Sequence, residues 1–125
     1  MSEKRVLTAN IGEPGLHTME VYERLGGYRS ARKAVLEMTP EAVLKELESS
    51  GLRGRGGAGF AMGKKASFIP KGSIEKYLCC NADESAPGTF KDRLLMQENP
   101  HLLLEGIIIG ALAAAATRSF IFIRG

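Results

Sequence analysis

At 125 residues, 44% of them hydrophobic, and with a net charge of +3, the chain has the composition of one globular domain. It is neither a disordered segment nor a protein whose charge alone marks a nucleic-acid binder. Its two cysteines, adjacent at Cys79 and Cys80, exclude a disulfide framework, and residues 1–9 are short and charged rather than a secretory apolar run, so a reducing cytosolic compartment is expected.

The first fifty residues read as an arm followed by two helices. Gly12, Pro14 and Gly15 favour a turning path and an exposed arm. Ser30 is placed to cap a short helix over 31–37. Thr39, with Pro40 at the first helical position, opens a second helix in which Val43, Leu44 and Leu47 recur at helical spacing. Gly51 is expected to end that helix in a left-handed conformation.

Residues 51–63 carry six glycines in thirteen positions, a density that predicts a tightly curved backbone with a ligand pressed against it. Converging N–H groups, with Arg53 and Arg55 alongside, suit a phosphate, and a nucleotide is the natural ligand. The spacing of Gly54, Gly56 and Gly59 satisfies GxGxxG, but that fingerprint requires a strand before it, and here a helix precedes. Gly63-Lys64 lacks the remaining residues of a Walker loop. The RGG triplet at 55–57 matches single-stranded nucleic-acid binders, but one copy in a hydrophobic chain argues against that use.

A short helix over 60–68 is expected next, its N-terminus toward the loop and its end at Pro70. Residues 77–80 read as a strand. The two cysteines on it point to opposite faces and are read as packing residues rather than metal ligands. The polar run 81–88 offers amides and carboxylates at the carboxyl end of a strand, where α/β proteins place ligand contacts to hydroxyl groups. Asn99 and Pro100 are expected to cap a helix over 100–116 that is apolar nearly all round and read as buried. Gly106 and Gly110 would allow it close approach to a sheet. Residues 119–123 form a second strand, completing one strand–helix–strand crossover. Charge is uneven: six basic residues stand against Glu75 over 53–76, and five acidic residues against Lys91 and Arg93 over 77–105. That suits a ligand with phosphates at one end and hydroxyls at the other. Two strands do not make a sheet that covers such a helix, so a fragment or split gene product is expected.

The runs GLRGRGGAGF at 51–60 and CNADESAPGTFKDR at 80–93 closely resemble the NADH-binding flavoprotein subunit of respiratory complex I, the NADH-quinone oxidoreductase. NIGEPGLHT at 10–18, YERLGGY at 22–28 and IFIRG at 121–125 resemble further stretches of that family, as they do the diaphorase subunits of soluble hydrogenases and formate dehydrogenases. The resemblance implies an α/β fold, with an N-terminal arm and helices over 1–50 and the first part of a Rossmann-like FMN/NADH-binding domain over 51–125. It implies hydride transfer from NADH to FMN, with electrons leaving through iron–sulfur clusters to quinone, in company with a 2Fe-2S subunit and a large iron–sulfur subunit. No nucleic acid or direct membrane insertion is implied; the location would be cytoplasmic, peripheral on the inner face of the cell membrane.

Carried over by position, Gly54, Arg55, Gly56, Gly57, Ala58, Gly59 and Gly63 form the NAD loop. Phe60 and Phe68 stack on the adenine, Lys65 lies near the flavin, and Asn81, Asp83, Glu84 and Ser85 hold FMN. No residue is implied as a general acid or base. Departures are as specific: the family's FPTGLKW reads FAMGKKA at 60–66, without its Pro and Trp, and Ala86 stands where most relatives carry a glutamate near the adenosine ribose. The cysteines that ligate the family's 4Fe-4S cluster have no counterpart here, so this chain alone is expected to hold neither the cluster nor flavin. A diaphorase subunit and an inactive interaction fragment remain the alternatives.

Overall fold

The structure, a computed structural model, describes residues 4–124. The arm is a succession of turns, closed by Ala9 N–H to Val6 O (3.3 Å), Glu13 N–H to Asn10 O (3.0 Å) and Leu16 N–H to Glu13 O (3.2 Å), and it is pinned by the buried Leu16. Helix α1 (Met19–Arg24), absent from the sequence expectation, follows. Thr18 Oγ1 accepts from Val21 N, Glu20 lies in its first turn and Arg24 in its last, so its caps and dipole charges are all local. Helix α2 is Arg29–Glu37 and α3 is Pro40–Ser49. Thr39 caps α3 through Ala42 N (3.2 Å), Pro40 occupies its first turn, and Gly51 beyond it has φ +67°, all as expected.

Strand β1 (Tyr77–Asn81) and strand β2 (Arg118–Phe122) pair in parallel, with α4 (Met62–Ser67) before them and α5 (Lys91–Glu98) and α6 (Pro100–Ala114) between them. The register runs from Tyr77 opposite Arg118 to Asn81 opposite Phe122, and Ala82 N–H extends it to Phe122 O at 2.9 Å. The crossover therefore contains two helices, not the single one expected. Helices α2 and α3 both pack on α6, as does β1, so α6 is the spine of the molecule.

The expectation of a buried α6 is corrected. Among its residues only Glu105 is buried, while Leu104 and Ile108 are about two-fifths exposed, because the two strands and three helices packed on it leave part of its circumference open. Gly110 meets Leu78 of β1, whose Cδ2 lies 3.6 Å from where a Cβ would stand, but Gly106 has nothing there, so only one of the two glycines serves close approach. Cys80 is half-buried, whereas Cys79 is exposed on the sheet face carrying Phe120, so only one cysteine packs.

Ser30 does not cap α2. The N-cap is Tyr28, held in a left-handed conformation (φ 60°, ψ 0°) and making no side-chain cap bond, and the orphan amides are taken by a carboxylate from another helix. Glu105 Oε2 accepts from Tyr28 N–H at 3.0 Å and Oε1 from Ala31 N–H at 3.1 Å. Tyr22 O–H donates a short hydrogen bond to Oε2. Tyr28 O–H and His101 Nδ1 meet at 2.8 Å, the Tyr22 ring stacks on His101 with centroids 5.6 Å apart, and Gly27 lacks the Cβ that would lie 2.1 Å from the Tyr22 ring. Burial pushes the Glu105 carboxyl up, but hydrogen bonds from Tyr22, Tyr28, Ala31 and Ser30 outweigh it and hold the pKa below the ordinary value. Burial, then Glu105 itself, drives the Tyr22 phenol well above its usual pKa.

A carboxyl whose pKa is lower folded than unfolded stabilises the fold above the unfolded value and loses that contribution as pH falls through the folded one. Glu105→Gln, which sets an amide N–H₂ against donors, is expected to cost about 1–3 kcal/mol in urea unfolding at pH 7. The gap to the unaltered chain should narrow as pH falls below the ordinary carboxyl value of 4.5 and through the lower folded one. Equal stabilities at pH 7 would show that the carboxylate does not carry this junction.

Candidate functional site

Leaving α3 at Gly51, the chain makes a hairpin-like excursion before α4. Arg53 and Ala61 form an isolated antiparallel bridge, with Gly54 N–H to Phe60 O at 2.9 Å and Met62 N–H to Leu52 O at 2.8 Å. The Arg53 guanidinium donates to Gly59 O at 3.2 Å, so this arginine braces the loop from within. At the tip Gly57 (φ +155°) and Gly59 (φ +65°) take angles that side chains disfavour. Arg55, Gly56, Gly57 and Ala58 are exposed, and the N–H groups of Gly56, Gly57 and Ala58 donate to nothing among the described residues. With Arg55, Lys64 and Lys65 exposed nearby, this is a set of free donors in a positive field.

Phe60 and Phe68, on either side of α4, bring their rings to 6.3 Å and leave them half or more exposed, an aromatic edge beside the donor loop. Gly63 sits elsewhere: it is buried where α4 crosses α3, and a Cβ on it would stand 2.5 Å from Glu48 N and 2.6 Å from Glu48 Cα. It sets the distance between the two helices, and through it the placement of the loop they bracket.

The second cluster lies at the carboxyl ends of the strands. Asn81 Oδ1 accepts from Asp83 N–H (3.0 Å), a tight turn that lifts the chain off the sheet. Asp83 Oδ1 is shut off from solvent and receives no directed hydrogen bond, though Arg124 Nε lies 2.9 Å away, and Ser85 Oγ stands 3.5 Å from Asp83 Oδ2. Glu84 turns to α5, where both its oxygens accept from Asp92 N–H (3.0 and 3.2 Å) and Oε2 also from Arg93 N–H (3.0 Å). Burial raises the Glu84 carboxyl, but these amides and the Lys91 ammonium at 3.9 Å bring its pKa below the ordinary value. Its carboxylate is thus the cap that Phe90, the N-cap residue of α5, does not supply. Pro87 and Gly88 (φ +78°) form a turn closed by Thr89 N–H to Ala86 O at 3.2 Å, leaving Ala86 exposed.

Met62 brings the start of α4 beside β1. The first residue of α4 lines, with Leu78, Cys79 and Cys80 of β1 and Leu102 and Gly106 of α6, an apolar cavity of about 390 Å³. Burial, then the Asp92 carboxylate, pushes the Cys80 thiol up, making it a packing group rather than a nucleophile. Asn99 is buried at the corner between α5 and α6. Its side chain makes no cap bond and Oδ1 has no partner among the described residues, so the expected Asn99 cap is corrected: the residue also closes α5, and its main chain (φ −140°, ψ 60°) follows that corner. Among the described residues no helix is long and apolar enough to cross a membrane.

Residues 47–125 match the Nuo51 FMN-binding domain. The chain belongs to this family. It is 50% identical over 121 residues to the second F subunit of the NADH-quinone oxidoreductase of Rhizobium meliloti, covering 96% of this chain and 29% of that protein. It is 49% identical over 109 residues to the F subunit of the NADH-quinone oxidoreductase of Escherichia coli, covering 86% of this chain and 24% of that one. A crystal structure of an NAD+-reducing NiFe-hydrogenase superposes with a TM-score of 0.69 at 34% identity, over 98% of this chain and 20% of the hydrogenase chain. The chain therefore spans about a quarter of the length of these curated relatives.

The residues at the strand ends fit a flavin nucleotide in chemistry. A buried carboxylate oxygen without a directed hydrogen bond, an asparagine amide and a serine hydroxyl stand together there, and a loop of free amides leads into the helix whose first residue, Met62, lines a cavity with the same strand. Arg53, expected beside a phosphate, braces the loop from within instead, and Arg124 is a residue of the strand-end cluster that the sequence reading did not single out. Adding the strand register, which pairs positions 41 apart, would have placed Arg124 beside Asp83.

Gly63→Ala is expected to destabilise the chain by about 1–3 kcal/mol, because the atoms in its way include Glu48 N and Cα, which are main chain and cannot swing aside. Differential scanning calorimetry checks this; an unchanged Tm would mean that α3 and α4 do not approach closely.

Proposed function

We propose that this chain is part of the NADH dehydrogenase flavoprotein subunit of NADH-quinone oxidoreductase, oxidising NADH by hydride transfer to FMN. Electrons would pass on to iron–sulfur clusters and quinone. Family membership over 47–125 is the observation that carries the reading, since that span contains both polar clusters. Residues 51–125 would supply the first part of the FMN/NADH-binding domain and residues 1–50 the arm and helices that back it. Partners would be the 2Fe-2S subunit and the large iron–sulfur subunit, with the complex on the inner face of the cell membrane. The structural likeness to the NAD+-reducing hydrogenase supports a second reading, a diaphorase subunit working in the same way beside a different electron partner.

FMN, when bound, supplies the hydride acceptor, and what remains for this chain is position and field. The N–H groups of Gly56, Gly57 and Ala58, with Arg55, would take the dinucleotide phosphates, and the exposed Phe60 and Phe68 rings offer a flat surface for the adenine. Lys65 adds charge one turn into α4. Asn81, Asp83 and Ser85 would meet flavin hydroxyls as acceptors and donors. Glu84 would act by fixing the start of α5 rather than by reaching the ligand, since its oxygens are already engaged.

Ala86 bears on nucleotide choice. A carboxylate beside the ribose repels the additional phosphate of NADPH and accepts from the hydroxyl of NADH; alanine does neither. Anaerobic mixing of the complete FMN-loaded subunit containing this segment with NADH should bleach the flavin. Ala86→Glu should raise the NADH over NADPH ratio of kcat/KM by about tenfold, or 1.4 kcal/mol. No bleaching by either nucleotide overturns the proposed activity. Bleaching with a ratio that Ala86→Glu moves less than about twofold removes only the role of position 86.

A further inference from the structure

Resting on the flavin-site reading above, we propose that Arg124, at the carboxyl end of β2, is a positioning residue that neutralises and orients Asp83 so that the strand-end cluster can accept a phosphate-bearing flavin. The register makes the encounter. Asn81 stands opposite Phe122, the ladder continues through Ala82 N–H to Phe122 O, and two residues further along each strand bring Asp83 and Arg124 together, Nε 2.9 Å from Oδ1. Asp83 Oδ1 is closed to solvent and accepts no directed hydrogen bond, so the guanidinium is its compensating charge. Oδ2 is left toward Ser85, and the Asp83 N–H is held by Asn81.

The electrostatics follow. Two carboxylates lie at this end of the sheet, and a ligand carrying a phosphate would be repelled by both. Glu84 is compensated by the first amides of α5 and by Lys91, and Asp83 by Arg124. The Arg124 side chain is 62% exposed and that of Asp83 23%, and a pair so accessible adds little to folding stability. Its effect belongs in ligand affinity.

The test is a thermodynamic cycle of flavin affinity in the complete subunit, with Arg124→Gln, Asp83→Asn and the double variant, each titrated with FMN and with riboflavin by fluorescence quenching. Arg124→Gln should weaken FMN about tenfold, a coupling typical of contacting residues. In the Asp83→Asn background the same change should cost less than about twofold, because the charge it balanced is gone. An equal loss in both backgrounds overturns the proposal; if riboflavin is then spared, Arg124 binds the phosphate directly. In the 125-residue chain without flavin, Asp83→Asn should shift the Arg124 Nε–H resonance, and an unmoved resonance also overturns it. If the unaltered subunit binds no flavin, the functional reading falls and this proposal with it, whereas flavin binding with independent Arg124 and Asp83 effects sinks the proposal alone.

Discussion

One buried carboxylate holds the two parts of this molecule together. Glu105 sits midway along α6 and reaches across to the start of α2, where it takes two main-chain amides and the Tyr22 hydroxyl. A carboxylate withdrawn from water is costly unless its oxygens are satisfied, and here the donors include a helix N-terminus, whose free amides and dipole favour an anion. The helix gains the cap it lacks, and the carboxylate gains its partners. Helix α3 packs on the same α6 and leads into the glycine loop, so α6 relates that loop to β1.

Glu84 repeats the device on a smaller scale. It caps α5 from seven residues before that helix begins, which ties the polar run after β1 to the first helix of the crossover. Of the carboxylates near the strand ends, one is thus occupied by a helix, and Asp83 is held by Arg124 and left among Asn81 and Ser85. The donors lie in the loop between α3 and α4. Acceptors on one side and free amides with cations on the other match a ligand with hydroxyl and phosphate ends, which is what a dinucleotide and a flavin nucleotide share.

What could be read from the sequence was what the sequence settles locally. Thr39, Pro40 and Gly51 bound α3 through their own hydroxyl, ring and missing side chain, both strands lie within a residue or two of where the sequence puts them, and the second is marked by its β-branched and aromatic run. Helix α1 was as local and was overlooked: Thr18, Glu20 and Arg24 signal it. Helices α2 and α5 were harder. Ser30 looked like a cap and is not one, and α5 has no cap in its flanking residues, because in both the anion comes from elsewhere in the chain, 77 residues away for Tyr28 and eight for Asp92. A pattern search over neighbouring residues does not see such a partner. The same holds at the site, where the glycines and the polar run were evident but Arg124 depends on strand register, and where Gly63, read with the loop, lies packed against Glu48.

Glu105 supplies the anion at the N-terminus of α2 and so joins the N-terminal helices to the crossover. Amides in the first turn of a helix have no intrahelical acceptor and ordinarily exchange with solvent quickly. Native-state hydrogen exchange resolved at Tyr28 and Ala31 is therefore the most direct measurement. Both amides should exchange as slowly as those in the middle of α6, and Glu105→Ala should release them while the β1 ladder stays protected. Tyr28 and Ala31 amides that exchange in the unaltered chain as fast as those of the exposed loop tip at Gly56 and Gly57 would contradict the account.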